Sequence, residues 1–529
     1  MNVIELLKRM AEDLPHGIAL IDTSRGAPRV TDFAELDAAT KRMAALFHHH
    51  GIGPGDAMLV FCPVSLELYV ILLALFRLGA VATFLDPSAG RVHIQRCCAL
   101  CSPKAIICPP KAHLLGLLSP AVRRIPCKFS TTFAVPGTIP LSKSAMLPEH
   151  ADIHPVSKET PALFTFTSGS TGQPKMVVRS HGVLLAQHRV LQATMGMHTG
   201  DMNLCTLPIV VLTNLAAGAA TIIPKMDLRR PGVIHAEALL AQIAHHNPSS
   251  ATAAPAFLDA LADACIETGR PLPGLAKIFC GGAPVFPSLL RKLRVAAPTA
   301  EITAIYGSTE AEPIAEISAA DIGAEDLSGM SRGRGLLAGL PVPGIELRIM
   351  RDQWGTPVGP YTASTFENAT LPAGEPGEIV VSGDHVIKGY VDGRGDRESK
   401  FVVGGKKWHR TGDAGYLDLS GRLWLLGRCE AVHSDSRGKL YPFAVESSAL
   451  LMPGIRRAAL VSIRGMRTLV MEPAPATRRI SGAEVRRRLS WAHIDSVKLC
   501  PRIPVDRRHN SKIDYAALRR RLDSLETAE

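Results

Sequence analysis

The sequence predicts an α/β fold arranged in more than one unit, and three observations predict it. Short apolar runs at Ala57 to Phe61, Lys104 to Cys108, Ala276 to Cys280 and Glu301 to Tyr306 alternate with helical stretches, as sheets covered by helices require. The 529 residues exceed what one compact core supports, so a large unit with subdivisions and a smaller unit are expected. Hydrophobic residues make up 46 % of the chain and charged residues 20 %, and the glycines and prolines follow no period. That composition fits a globule and excludes fibrous and low-complexity classes.

From the N-terminus, Val3, Leu6, Leu7 and Met10 recur at helical spacing with acids and bases between them, unlike the unbroken apolar core of an export signal. A cytoplasmic address is the expectation. The most apolar stretch, Tyr69 to Ala82, reads as one buried helix. Arg77 interrupts it and Glu67 precedes it, and it is too short to span a bilayer.

Eleven cysteines are spread through the chain without a secretory context, so they read as buried small hydrophobes. His93, Cys97 and Cys101 would share a helical face, but the paired CxxC spacing of a zinc site is missing.

The net charge of +11 is uneven: from Arg428 onward, 20 Lys+Arg stand against 11 Asp+Glu, a balance of +9. The runs Arg486 to Arg488 and Arg519 to Arg521 read first as solvated helix faces. They would also suit an acidic carrier protein, a coenzyme phosphate or peripheral contact with an anionic membrane. Basic and aromatic residues do not interleave, and aromatics are only 5 % of the chain, which excludes a nucleic-acid module.

The most informative segment is Phe164-Thr-Phe-Thr-Ser-Gly-Ser-Thr-Gly-Gln-Pro-Lys175. An apolar strand runs into a loop where glycines permit close backbone approach and hydroxyls and one lysine supply partners for phosphate. It is not the P-loop of nucleotide hydrolases, because Met176 follows Lys175 where Ser or Thr is needed.

Thr167, Ser168, Gly169, Ser170, Thr171, Gly172 and Lys175 together resemble the phosphate-loop signature of the adenylate-forming superfamily. That superfamily comprises acyl-CoA synthetases, peptide-synthetase adenylation domains and luciferases. Further motifs follow in the family's order over nearly the whole chain. Gly281, Gly282, Ala283 and Pro284 resemble its adenine-side loop. Tyr306-Gly307-Ser308-Thr309-Glu310 matches the signature in which the ring stacks on adenine, the threonine approaches the α-phosphate and the glutamate holds Mg²⁺. Gly377 to Gly383 with Gly389-Tyr390 matches a structural element. In Trp408-His-Arg-Thr-Gly-Asp413 the resemblance gives Asp413 the ribose hydroxyls, whereas His409 reads as packing or solvent contact. Arg428 matches a second ribose contact.

The resemblance implies a large, multi-subdomain N-terminal domain of layered sheets and helices over residues 1–427. It also implies a small, mobile α+β C-terminal domain over 428–529, pivoting at Glu430. In Pro504 to Ile513, Lys512 falls at the catalytic lysine, whose cation would bridge two anionic reactants, with Ser511 where a glycine is usual. ATP and Mg²⁺ are the implied cofactors, with CoA only for a thioester product.

The form His509-Asn-Ser-Lys-Ile513, with Ile223 to Pro231, Gly269 to Pro273 and Gly282 to Val285, looks most like the olefin β-lactone synthetases and related fatty-acid ligases. Those enzymes adenylate a 2-alkyl-3-hydroxy fatty acid, whose own hydroxyl then closes the ring. The loop Arg437 to Glu446 is one residue shorter than in thioester-forming members. An aliphatic acyl pocket is expected at Val210, Val211, Leu212 and Asn214, although apolar spacing alone reads equally as core. Three functions stay open: a β-lactone synthetase with a condensing-enzyme partner, a CoA or acyl-carrier ligase, and an inactive nucleotide-binding paralogue.

Overall fold

A computed structural model describes residues 1–24, 26–85, 90–117, 119–133, 135–168, 174–227, 230–272, 274–474, 480–506 and 511–526. The chain forms two compact units: residues 1–228, 309–312 and 383–400 in one, and 229–308, 313–382 and 401–529 in the other.

The first unit contains a seven-stranded sheet in the order Ile139–Pro140, Cys127–Ser130, Ala105–Cys108, Ala57–Val60, Val81–Phe84, Pro161–Ser168, Pro174–Ser180. All neighbours are parallel except the last pair, an antiparallel hairpin in which Thr167 faces Lys175. Parallel strands need crossovers, and their continuous apolar character follows from burial on both faces. A second group pairs Met202–Cys205 and Ile18–Asp22 in parallel with Ala220–Ile223, and Arg29–Asp32 antiparallel to Ile18–Asp22.

The apolar run from Tyr69 is two elements, not the single helix expected. Helix Leu66–Arg77 opens with the Ser65 side chain accepting from the Leu68 amide, and strand Val81–Phe84 follows. Gly79, at φ +65° with no room for a Cβ against the His154 ring, makes the turn between them. Arg77 is wholly buried, donating to Asp37 Oδ1 at 2.5 Å and to the Ala151 carbonyl at 2.8 Å. Its charge is therefore paired inside the protein. Among the described residues no helix is long and apolar enough to cross a membrane.

In the second unit Ser250–Ala253, Lys277–Cys280 and Glu301–Ser308 are parallel, with helices Pro255–Thr268 and Pro287–Ala296 in the connections. Antiparallel strands continue this unit: Leu336–Pro341 pairs Leu423–Arg428, which pairs Lys406–Leu417, which pairs Gly377–Gly383.

Residues 428–529 have their own sheet of Ile455–Ile463, Met466–Pro473 and Ser496–Leu499, sandwiched by helices. Strand alternation sorts it. Ala458, Leu460, Leu469 and Met471 pack with Val445 and Val485, whereas Ala459, Val461 and Val470 pack with Leu518 and Leu522. The four apolar runs read as strands in the sequence are the strands Ala57–Val60, Ala105–Cys108, Lys277–Cys280 and Glu301–Ser308.

Candidate active site

The candidate side chains form two clusters, one in each unit. In the second unit the long strand Lys406–Leu417 carries Asp413 directly opposite Arg428 of the neighbouring strand. Arg428 Nη1 donates to Asp413 Oδ1 at 3.0 Å and to the Thr411 carbonyl at 3.0 Å. The Tyr306 hydroxyl donates to Asp413 Oδ2 at 2.7 Å. Each carboxylate oxygen thus has one protein partner and a lone pair to spare, so Asp413 can still accept from two hydroxyls. Loss of hydration around the phenol, together with the Asp413 charge, pushes the Tyr306 pKa well above its ordinary value and keeps it a donor.

The intervening Gly412, at φ +69°, lies under the Trp354 ring, where a Cβ would come within 2.9 Å of a ring carbon. Only glycine suits that position. Thr411 Oγ1 donates to the Ile379 carbonyl at 2.9 Å and accepts from the Asp413 amide at 3.0 Å, fixing the segment to the adjacent strand.

His409 is buried, in line with a packing role. Arg410 and Glu378 are residues the sequence reading did not single out for a role. The Arg410 Nε and Nη2 donate to Glu378 Oε2 at 2.9 and 2.6 Å, both side chains being almost wholly buried. Burial pushes the Glu378 pKa up while Arg410 opposes the shift. Adjacent strands bring the pair together, Arg410 standing opposite Val380, two residues along from Glu378, which local spacing does not reveal.

Gly281 and Gly282 follow strand Lys277–Cys280, with Gly282 at φ +87°, and half-buried Ala283 and Pro284 come next. Gly307 and Ser308 close strand Glu301–Ser308. Lys512 is exposed, in a loop closed by Asp506. The amides of Ser511 and Lys512 donate to Asp506 Oδ1 at 3.2 and 2.9 Å, and Asp506 N donates to the Lys512 carbonyl at 2.8 Å. Residues 507–510 lie outside the described residues, and so do His509 and Asn510 of the motif. Glu430 is exposed in the turn Cys429–Ala431, just beyond Arg428.

Three residues past Lys512, the Tyr515 hydroxyl donates to Glu446 Oε1 at 2.8 Å, which also accepts from the Leu460 amide at 2.9 Å. Glu446 is fully buried, and burial pushes its pKa up to about 7.

In the first unit, Thr167 and Ser168 end their strand, and Gly169, Ser170, Thr171 and Gly172 lie outside the described residues. Lys175 is half-buried on the return strand, its Nζ 5.5 Å from the Tyr390 ring centre. The Tyr390 hydroxyl donates to Glu310 Oε1 at 2.8 Å. Arg179, also missed from sequence, donates from Nη1 to Thr165 Oγ1 at 2.9 Å and from Nη2 to the Thr309 carbonyl at 2.8 Å. It ties the Thr309 backbone to strand Pro161–Ser168.

Among the described residues no cluster of three or more His, Cys, Asp or Glu could hold a metal by itself. Glu310 offers one hard oxygen ligand, which fits magnesium arriving with phosphates and not a caged resident ion. Burial pushes the thiols of Cys97, Cys98 and Cys101 up to about 12, 11 and 12, so they are neutral small hydrophobes and poor metal ligands.

Of the expected acyl-pocket residues, Val210 and Val211 are buried in helix Pro208–Ala216. Leu212 lines an apolar cavity with Leu6, Leu7, Phe76, Leu184 and Ile209. The Asn214 amide donates to Thr221 Oγ1 at 2.9 Å and to Asn203 Oδ1 at 3.4 Å, tying the helix to two strands.

Residues 7–391 match the family model described as AMP-binding enzyme. The chain is 30 % identical over 540 residues to an olefin beta-lactone synthetase of Stenotrophomonas maltophilia (strain K279a), covering 97 % of this chain and 96 % of that protein. It is 25 % identical over 451 residues to 4-coumarate-CoA ligase 1 of Narcissus pseudonarcissus, covering 82 % and 76 %. The crystal structure of ATP-bound MatB from Rhodopseudomonas palustris shares its fold, with a TM-score of 0.80 at 22 % identity over 99 % of this chain and 100 % of that one.

Proposed function

The chain belongs to the AMP-binding enzyme family, and on that premise we propose that it adenylates a 2-alkyl-3-hydroxy fatty acid and then closes it to a β-lactone. Adenylate formation itself, with ATP as the nucleotide and AMP released at the end, is the activity of this family of ligases. The observation that carries the nucleotide reading is Asp413, fixed between Tyr306 and Arg428 with a lone pair free on each oxygen for the ribose hydroxyls.

In this reading Thr309, whose carbonyl Arg179 holds, meets the α-phosphate, and Lys175 with the loop before it meets the other phosphates. Glu310 is the carboxylate for magnesium, which when bound neutralises phosphate charge. Lys512 bridges the attacking carboxylate and the α-phosphate, stabilising charge that accumulates as pyrophosphate leaves. Residues 1–427 act as the adenylation domain and 428–529 as a lid carrying Lys512 and turning at Glu430. The exposed Lys512 and Glu430, and the separate sheet of 428–529, support that division. The substrate hydroxyl then attacks the adenylated carbonyl, the C–O bond of the lactone forms and AMP departs, with proximity replacing a second substrate.

Support for the lactone step comes from the 30 % identity over nearly the full length to a protein named for it, and from Ser511 before Lys512. The aliphatic run at Val210, Val211 and Leu212 suits an alkyl chain, each methylene transferred contributing about 0.8 kcal/mol. A condensing enzyme, followed by a hydride-donor-dependent reduction of its 3-keto product, would supply the hydroxy acid, in the cytoplasm.

One second reading has observations in its favour: transfer to CoA or a carrier thiol, suggested by the basic balance of 428–529 and the ligase relative. A 3-deoxy analogue separates chemistry from binding. It should support pyrophosphate release yet stall as the adenylate, and turnover of that analogue to free AMP without a thiol would overturn ring closure by the 3-hydroxyl.

A further inference from the structure

Residues 383–400, distant in sequence from the rest of the first unit, run beside its phosphate-loop hairpin: Tyr390 bridges Val177 of strand Pro174–Ser180 and packs with Val177, Val183 and Ile387. The ring is buried at 8 % exposure, yet its hydroxyl reaches Glu310 Oε1 at 2.8 Å. Tyr390 is the one described side chain hydrogen-bonded to Glu310. The Ile387 amide donates to the Glu310 carbonyl at 2.8 Å, so the same segment grips backbone and side chain.

Two ammonium groups flank the ring, Lys175 Nζ at 5.5 Å and Lys400 Nζ at 5.6 Å from its centre. The Tyr390 amide donates to Asp396 Oδ1 at 2.9 Å, which turns the chain so that Gly395 passes against Lys175. A Cβ on Gly395, itself at φ +89°, would lie 2.6 Å from Lys175 Nζ. Lys175 and Glu310 are therefore seated by the same short segment.

We infer that Tyr390 is a positioning residue: its hydroxyl fixes one oxygen of Glu310 so that the other is presented to a divalent cation, while its ring spaces Lys175 for phosphate. The inference rests on reading Glu310 as the metal carboxylate. A carboxylate held by one donor loses rotamers, and pre-arrangement of this kind strengthens binding without adding a contact.

The test is Mn²⁺ binding, read by electron paramagnetic resonance, to the full chain in the presence of α,β-methylene-ATP. Compared are the wild type, Tyr390→Phe, Glu310→Gln and the double variant, with nucleotide affinity in EDTA and the unfolding midpoint as controls. Tyr390→Phe should weaken Mn²⁺ about tenfold, the scale of 1.4 kcal/mol at 25 °C, with metal-free nucleotide affinity and folding retained. In the Glu310→Gln background it should add nothing, because the tyrosine acts through that carboxylate.

Unchanged Mn²⁺ affinity in Tyr390→Phe, with a loss in Glu310→Gln, would overturn the inference and leave the metal reading intact. No loss in Glu310→Gln would overturn the metal reading itself. Should Tyr390→Phe not fold, Tyr390→His, which keeps a ring and an N–H donor, replaces it: Mn²⁺ affinity within a few-fold of wild type supports the role, and an effect that persists in the Glu310→Gln background refutes it.

Discussion

Replacing Glu446 with glutamine should abolish a pH dependence of stability in the C-terminal sheet. The carboxyl is fully buried on helix Pro442–Leu450, with one oxygen accepting from Leu460 N and Tyr515 Oη and the other without a described partner. Burial moves its pKa from the ordinary 4.5 to about 7. Between those values the folded protein holds a proton that the unfolded chain has released. Stability from this group is therefore fully present below pH 4.5, falls as pH rises and levels off above pH 7.

At 1.36 kcal/mol per unit the shift corresponds to a loss on the order of 3 kcal/mol, or about two decades in local opening. Glutamine imitates the protonated acid in shape and accepts the same two hydrogen bonds, so it should show no such loss. Hydrogen exchange of peptides covering Ile455–Ile463, corrected for intrinsic rates, measures the local opening directly. The wild type should open about 100-fold more readily at pH 8 than at pH 5, and Glu446→Gln about equally at both. Identical pH profiles in the two proteins would refute the reasoning.

Three further substitutions separate the roles assigned above. Lys512→Ala should lose most pyrophosphate release while ATP still binds, measured by pyrophosphate detection and calorimetry. Unchanged release would remove Lys512 from the chemistry. Asp413→Ala should weaken AMP binding by about tenfold or more, since two charge-assisted hydrogen bonds to ribose are lost, and an unaltered calorimetric affinity would place the ribose elsewhere. Glu378→Ala leaves the buried Arg410 guanidinium without its carboxylate, with the Thr356 carbonyl still accepting from Nη1, which should cost about 3 kcal/mol of stability in denaturant unfolding. A change within 0.5 kcal/mol, roughly that of an exposed site, would mean that Arg410 does not need the Glu378 carboxylate to stay buried.

Strand positions were legible because buried parallel strands are short, apolar and bounded by turns: Lys277–Cys280 and Glu301–Ser308 stand where the apolar runs fall. The split of Tyr69 to Ala82 into helix and strand was not legible, since continuous burial erases periodicity and only the Gly79 turn marks the break. Motif residues such as Tyr306, Asp413 and Arg428 could be named from the chain, but their mutual bonding could not.

What the sequence hid is the supporting set. Tyr390 reaches Glu310 across 80 positions, Arg179 reaches Thr309 across 130, and Arg410 meets Glu378 through strand register. Such pairs leave no local pattern, because each partner looks like an ordinary strand or loop residue until the chain is folded.

The most direct test of the account is mass spectrometry of the products formed from Mg-ATP and a racemic 2-alkyl-3-hydroxy fatty acid, with and without CoA. The account predicts AMP and a dehydrated product that forms without CoA and that NMR identifies as a four-membered lactone. An acyl-CoA that appears only when CoA is supplied, with no lactone in either reaction, would contradict it.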